Sequence, residues 1–484
     1  MRQRDKGQHV HPGEMLHFLW RYAFLLLIPF IRQLAAAQGT AWERLSATLT
    51  NLLLTLLVVA AAVIRWYTIR FRVRGGLIWH EKGVFWKKRL HIPFRSVDHL
   101  TQRSSPAAFL CGAVWVGIET SSGSRRRADA EILLSRRRAG RLFAVLEKKR
   151  HREQLYRPKF WQVGIMAASW SNGLSGLLVA APFVQKTGQI LGEQASRLLY
   201  DTVDFRLYLV SLGLPPVAAG IAWLLFFGWF FALLSQLFRY WRFAGWKQGA
   251  FLASRSGFFH TRRQIVRISH IYAVTARQTL FMAWSGLYTA YAHVAGEKKK
   301  NANRAVIAAA MGSRALFCRI RNAVAFHLPK SKKIRPPRQA ATGYLLPVMA
   351  PVATVSLLAI VLNLIGGPAT ISFMMLPALL LLTWRIFVRI RSLRCAFFQP
   401  GEKFVLLRYD RGFSILTTLI PKDKIQTVRI SQNPFQKRTG LCHVQISVYG
   451  EKALACTVRQ LNYQDVKEAC SRYGLLPSQE GKPD

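Results

Sequence analysis

The chain has 484 residues, 51% of them apolar, and 69 Lys and Arg against 22 Asp and Glu give it a formal charge of +47. That hydrophobicity excludes a disordered tail, and the shortage of carboxylates argues against a typical cytosolic enzyme. Apolar spans in a bilayer, with basic parts held against an anionic surface, account for both features.

In chain order, six apolar stretches come close to or exceed the ~20 residues that cross a hydrocarbon core. They are 16–36, 47–64, 161–184, 207–238, 344–365 and 369–384. They pair into three hairpins, each followed by a long basic segment. The last hairpin turns on Gly366-Gly367-Pro368, which breaks a helix through backbone freedom and a missing N–H. Pro215-Pro216 should kink the fourth stretch or leave its first turns outside. The hairpin turns hold only Arg44, Lys186 and Arg197, whereas segments 65–160, 239–340 and 385–484 hold 23, 20 and 17 Lys and Arg. By the positive-inside bias, both termini and all three segments are expected in the cytoplasm. The basic start and the Ala35-Ala36-Ala37 run approach a signal-peptide pattern, but Arg21 and Arg32 interrupt the first stretch and favour an uncleaved anchor.

The expected fold is therefore a polytopic α-helical membrane protein, with six spans as three hairpins and three cytoplasmic α+β domains. The hairpins are placed at 1–64, 159–239 and 339–388, and the domains at 65–158, 240–338 and 389–484. All six cysteines fall in the cytoplasmic segments and none forms a Cys-x-x-Cys pair, so no disulfides are expected.

The three segments repeat one another. Ile92-Pro93, Val97 and Gly112 in the first correspond to Val266-Arg267, Ile271 and Gly286 in the second, and to Ile420-Pro421, Ile425 and Gly440 in the third. Gly83, Gly257 and Gly412 mark upstream turns. Gln278 corresponds to Gln432, and Pro106 to Pro434. Alternating β-branched and aromatic residues predict strands over 66–73, 84–92, 113–120, 404–407 and 443–448, with a turn at Gly75-Gly76. Helices are predicted over 136–154 and 461–473, the latter opened by Asn462 as a cap.

Paired spans, a basic β-rich module, the Ile-Pro-x-x-x-Val/Ile segment and the later glycine resemble the bacterial pleckstrin-homology (PH) membrane-flanked domain family. Three copies are similar to its YdbT-like members. The second copy departs from the pattern, with Val266-Arg267 for Ile-Pro and a basic, alanine-rich tail. The resemblance implies PH-like barrels of two nearly orthogonal sheets capped by a C-terminal helix, in a bacterial inner or plasma membrane. It also implies a companion, a shorter one-copy (YdbS-like) membrane protein. Pro93, Gly112, Gly286, Pro421 and Gly440 are read as repeat-defining structural residues.

No catalytic motif accompanies these features: there is no metalloprotease His-Glu-x-x-His, no nucleophile elbow and no P-loop. Adjacent Cys442 and His443 lie on a predicted strand, where neighbours point to opposite faces. No catalytic, cofactor or metal residue is assigned, and the chain is read as non-enzymatic. The six stretches lack Asp and Glu in their cores, which weighs against a proton-coupled transporter. Nucleic acid is set aside because no helix-turn-helix, zinc-ligand spacing or RNA-recognition pattern occurs.

Charge is the informative feature. Segment 239–340 carries 20 Lys and Arg against one acid, Glu297. Self-repulsion on that scale calls for counter-charge, which anionic lipid supplies at about 1 kcal/mol per basic residue near the surface. Candidate lipid contacts are Lys87, Lys88, Arg89, Arg125, Arg126, Arg127, Arg262, Arg263, Lys298, Lys299, Lys300, Lys332, Lys333 and Arg335. The expected function is a membrane-anchored binding array docking PH-like domains on anionic headgroups. The alternative is a scaffold subunit that assembles with the smaller YdbS-like protein or with itself.

Overall fold

The computed structural model describes residues 8–22, 41–84, 86–104, 106–120, 129–147, 153–170, 216–258, 261–294, 305–312, 323–365, 369–448 and 454–475. After strand β1 (Gln8–His9) and helix α1 (Gly13–Arg21), the long helix α2 (Ala41–Thr68) delivers the chain to β2 (Arg70–Arg74), β3 (Leu77–Lys82) and β4 (Lys88–Pro93). A 3₁₀ turn over Phe94–Ser96 changes sheet. Strand β5 (Val97–Arg103), short helix α3 (Pro106–Leu110), β6 (Ala113–Thr120), β7 (Ala130–Ser135) and helix α4 (Arg136–Glu147) then complete the first copy.

Strand β8 (Glu153–Tyr156), helix α5 (Phe160–Trp170) and helix α6 (Pro216–Tyr240) lead to the second copy. It comprises β9 (Ala244–Gln248), β10 (Phe251–Ser256), β11 (Arg262–Arg267), a 3₁₀ turn, β12 (Ile271–Thr279), α7 (Leu280–Trp284), β13 (Leu287–Val294) and β14 (Ala305–Gly312). The helical hairpin α8 (Ala341–Leu364) and α9 (Ala369–Cys395) precedes the third. That copy runs through β15 (Phe397–Gln399), β16 (Phe404–Arg411), β17 (Ser414–Pro421), a 3₁₀ turn, β18 (Ile425–Ser431), α10 (Pro434–Thr439), β19 (Leu441–Val448), β20 (Leu454–Asn462) and α11 (Tyr463–Arg472).

The repeat-defining residues have local causes. Pro93, Arg267 and Pro421 precede the three 3₁₀ turns with φ of −66°, −75° and −64°, the value a proline ring enforces. Arg267 reaches that geometry without the ring, and its guanidinium donates to the Phe94 carbonyl of the first copy at 2.9 Å. Gly112, Gly286 and Gly440 end the three short helices at φ of 67°, 64° and 66°, where a Cβ is strained. Gln278 and Gln432 donate to the carbonyls of Leu287 and Leu441, just beyond those glycines, at 3.2 and 2.8 Å.

Sheet topology crosses the repeat boundaries. The strands form a four-stranded sheet β1-β2-β3-β4, a seven-stranded sheet β7-β6-β5-β11-β10-β9-β8, a six-stranded sheet β14-β13-β12-β17-β16-β15 and a three-stranded sheet β18-β19-β20. The last sheet of each copy thus continues into the first sheet of the next, through β5 on β11 and through β12 on β17. The cores are shared in the same way. Ile78, Ile92, Val116, Ile132 and Phe143 of the first copy pack with Trp246, Ala253 and Ile265 of the second. Tyr272 and Ala273 of the second copy enter the core of the third.

The expectation of a six-span helical membrane protein is corrected. Among the described residues two helices are long and apolar enough to cross a bilayer, Thr48–Thr68 and Arg338–Val361, and much of the rest is antiparallel sheet. Hydropathy counts apolar residues without showing what covers them. In the third stretch, Val163 and Met166 of α5 are buried with Tyr240, Phe243, Met282 and Leu287 inside protein. In the helix that begins at the sixth, the last turns dock on the third copy, where Val388 and Ser392 are buried. Residues 23–36, 171–184 and 207–215 of the expected spans lie outside the described residues.

Smaller boundaries also shift. Trp66–Thr68, expected in a strand, finish α2, where the Trp66 indole donates to the Val10 carbonyl at 3.0 Å. Strand β4 starts at Lys88 rather than 84, because Gly83 at φ 130° makes a turn first. Glu153 and Gln154, expected at the end of a helix, pair with the edge of β9. The alanine-rich tail of the second copy supplies strand β14 on β13.

Candidate functional site

One end of each copy's first sheet adjoins an apolar helix. Strand β2 begins at Arg70, just past the end of α2, and Arg70 lies opposite Glu81, which lies opposite Arg89. Strand β9 begins just after α6; Ala244 faces Arg255, which faces Arg263, and Ser256 faces Arg262, which faces Arg103 across the copy boundary. At the third sheet, Asp410 near the tip of β16 holds Arg385 and Arg389 of α9, at 2.8 and 3.4 Å.

Two kinds of apolar tip project at these ends. The turn-glycine loops carry exposed Trp86, Phe258 and Phe413, and the short helices carry exposed Leu110, Trp284 and Phe435; Trp86 is 89% exposed, Leu110 86% and Phe435 81%. The tips are built rather than frayed. The Thr279 hydroxyl caps α7 by accepting from the Met282 N–H, and a reciprocal Asn433–Gln436 capping box starts α10. Phe281 of α7 lies against Trp384 of α9, ring centroids 5.0 Å apart, so this short helix sits where an apolar helix emerges.

Arginines crowd the same end of the seven-stranded sheet. Burial, then the charges of Arg103 and Arg239, push Arg262 down to about 10. Burial lowers Arg103 too, and Glu131 and Glu119 offset it in part. Arg262 therefore stays charged at neutral pH, in a place where an added anion relieves like-charge repulsion. Beside it an open basin of about 570 Å³ is lined by Gln154, Arg157, Trp241, Arg242, Arg255 and Phe258, among others. Three guanidiniums around one basin can engage phosphate with paired N–H donors.

The sequence-selected residues are scattered over this geometry. Lys87, Lys88 and Arg89 are exposed beside Trp86 at the end of α2, and Arg89 also pairs with Glu81 at 3.1 Å. Arg262 joins the arginine cluster. Arg263 faces the other way, its guanidinium 4.8 Å from the Phe143 ring centroid and 5.8 Å from that of Trp246, and so serves the joint between copies. Lys332, Lys333 and Arg335 are exposed on the approach to Arg338–Val361. Arg125, Arg126, Arg127, Lys298, Lys299 and Lys300 lie outside the described residues. Sequence reasoning missed Arg103, Arg157, Arg239, Arg242 and Arg255, which occur singly along the chain rather than in runs. The correspondence of Pro106 with Pro434 was a usable signal for the short helices.

Elsewhere the chemistry is that of packing. Burial pushes the Cys442 thiol up to about 12, which leaves no thiolate at neutral pH. Buried His99 and Glu119 pair at 2.9 Å inside the first joint, and the His270 imidazole of the second copy meets Asp98 of the first. Among the described residues no group of three or more His, Cys, Asp or Glu could hold a metal ion.

Bacterial PH domain sequences match this chain three times, over residues 23–150, 203–322 and 346–473. The UPF0699 transmembrane protein YdbT of Bacillus subtilis (strain 168) is 23% identical over 438 residues, covering 84% of this chain and 85% of that protein. No solved structure matches the chain significantly.

Proposed function

The chain belongs to the bacterial PH domain family, and we propose that it is a non-enzymatic, membrane-anchored array whose PH-like modules dock on anionic lipid headgroups. The observation that carries this reading is the arginine-lined end of the seven-stranded sheet, where Arg242 and Arg255 share a basin and Arg262 faces Arg103. It stands next to exposed Phe258 and Leu110. A soluble face mixes both signs of charge; this one concentrates guanidiniums beside apolar tips, which suits a phosphate-bearing surface with hydrocarbon beneath it. Lys and Arg flank the domain-side ends of both membrane-length helices, at Arg65, Arg70, Arg335 and Arg338. By the positive-inside bias the modules then face the cytoplasm of a bacterial cell, under its inner or plasma membrane. The transmembrane designation of the Bacillus relative agrees.

The test uses the full chain in lipid nanodiscs, either phosphatidylcholine alone or with phosphatidylglycerol. Anionic lipid is expected to raise the unfolding temperature, and added salt to weaken the gain. The Arg242→Gln/Arg255→Gln variant should forfeit about 2 kcal/mol of that stabilisation, at ~1 kcal/mol per basic residue. Equal stability of the unsubstituted chain in both lipids overturns the reading.

A further inference from the structure

Both internal joints are the same joint. By the repeat spacing β5, β12 and β18 are equivalent strands, as are β4, β11 and β17. In the first joint Leu100 lies opposite Ile265 and Arg103 opposite Arg262. In the second, the equivalent pairs Val274 with Leu419 and Arg277 with Leu416 lie opposite each other. The register is therefore conserved from one joint to the next. Two strands of this set are left over: β4 ends the first sheet and β18 ends the last, each paired on one side only among the described residues. They are the two complementary halves of a third such joint.

Burial agrees. Val97–Leu100 of β5 are buried and so is all of β17, whereas Gln426, Thr427, Arg429 and Ser431 of β18 and Lys88, Arg89, His91 and Pro93 of β4 are exposed. Charge on a lone edge strand often serves to repel other strands. Here it is no bar, because Lys88 and Arg89 are equivalent to Arg262 and Arg263, which sit inside the first joint.

We propose that β18 of one chain takes β4 of a second copy as its missing neighbour, in the register that places Val428 opposite His91 and Ser431 opposite Lys88. The contact is head-to-tail, so it propagates along the membrane as a row or closes as a ring. It also brings the α10 tip of one copy beside the Trp86 loop of the next, as α3 lies beside the Phe258 loop within one chain. The inference rests on strand topology and not on lipid docking.

Two differently tagged full-length chains are co-expressed and oxidised in native membranes, one carrying Ser431→Cys and the other Lys88→Cys. Both carry serine at Cys111, Cys318 and Cys395. The substituted edge positions are exposed, so neither change touches a core. On non-reducing denaturing gels the mixed pair is expected to double in mass after oxidation, while either variant alone runs at single-chain mass and Arg89→Cys in place of Lys88→Cys gives several-fold less product. Absence of the mixed dimer, with a single-chain native mass from the same membranes, overturns the proposal. So does crosslinking of like with like, or a shorter one-copy PH polypeptide found in place of the second copy. None of these outcomes bears on the lipid reading, whose test varies headgroups alone.

Discussion

His80 lies on β3 between Phe71 and Leu90, 9% exposed. Burial, then nearby Lys82, lowers its pKa from 6.5 to about 4. The unfolded chain therefore binds a proton between pH 6.5 and 4 that the folded chain refuses, and stability falls as pH falls through that window. The group's contribution is intact above 6.5 and about 3 kcal/mol lower by pH 4, at 1.36 kcal/mol per pKa unit. Denaturant unfolding at pH 7 and pH 4 should show a smaller acid loss in His80→Gln than in the unsubstituted chain. An identical loss in both would remove His80 as the cause. Arg262 is the opposite kind of residue: its depressed pKa remains far above neutrality, so it acts as a fixed charge rather than a titrating one.

Among the described elements, α9 is tied to a sheet through a buried ion pair. Its Arg385 and Arg389 meet the buried Asp410 carboxylate, and its Ser392 hydroxyl donates to the same group at 3.0 Å. The Arg385 guanidinium also donates to the Gly412 carbonyl in the β16–β17 turn. Removing one partner of a buried pair strands the other, at a cost of about 3–5 kcal/mol. Asp410→Asn should accordingly destabilise the third copy by that order, read by denaturant unfolding, and expose the C-terminal turns of α9 to protease. A variant as stable as the parent would mean that apolar packing around Val388 alone holds the helix. The short helices have a different logic: too brief to be stable alone, α7 and α10 are held by a cap, a left-handed glycine and a glutamine side chain, and α3 shares the glycine.

For the whole molecule, the shared sheets mean that the three copies are not beads on a string. The second copy has β5 on one side and β17 on the other, and its core borrows Phe397, Leu406 and Leu419 from the third. Residues 240–338 expressed alone would expose the β11 and β12 edges together with apolar surface. The fragment is expected to aggregate or to lack protected amides in hydrogen exchange, while the intact chain unfolds its copies together. A fragment that is monomeric, cooperative and protected would mean that the joints form after folding and add little to it.

The repeat and the family were legible in the sequence because Ile-Pro, the aliphatic and the glycine answer to local physics: a fixed φ, a buried strand start and a left-handed helix end. Strand β6 and the Asn462 cap of α11 were legible for the same reason. The spans were over-counted, because hydropathy cannot separate an apolar residue facing lipid from Met166 facing Tyr240 and Met282. The joints between copies were not legible at all, since backbone hydrogen bonds carry little side-chain signature. Nor was the arginine cluster: Arg103, Arg239, Arg242, Arg255 and Arg262 are spread over 160 residues. Composition and local backbone preference settled what kind of chain this is, a row of PH-like repeats with helices long and apolar enough to cross a bilayer. Only tertiary structure decided which strands meet and which charges converge, because both depend on register between segments far apart in the chain.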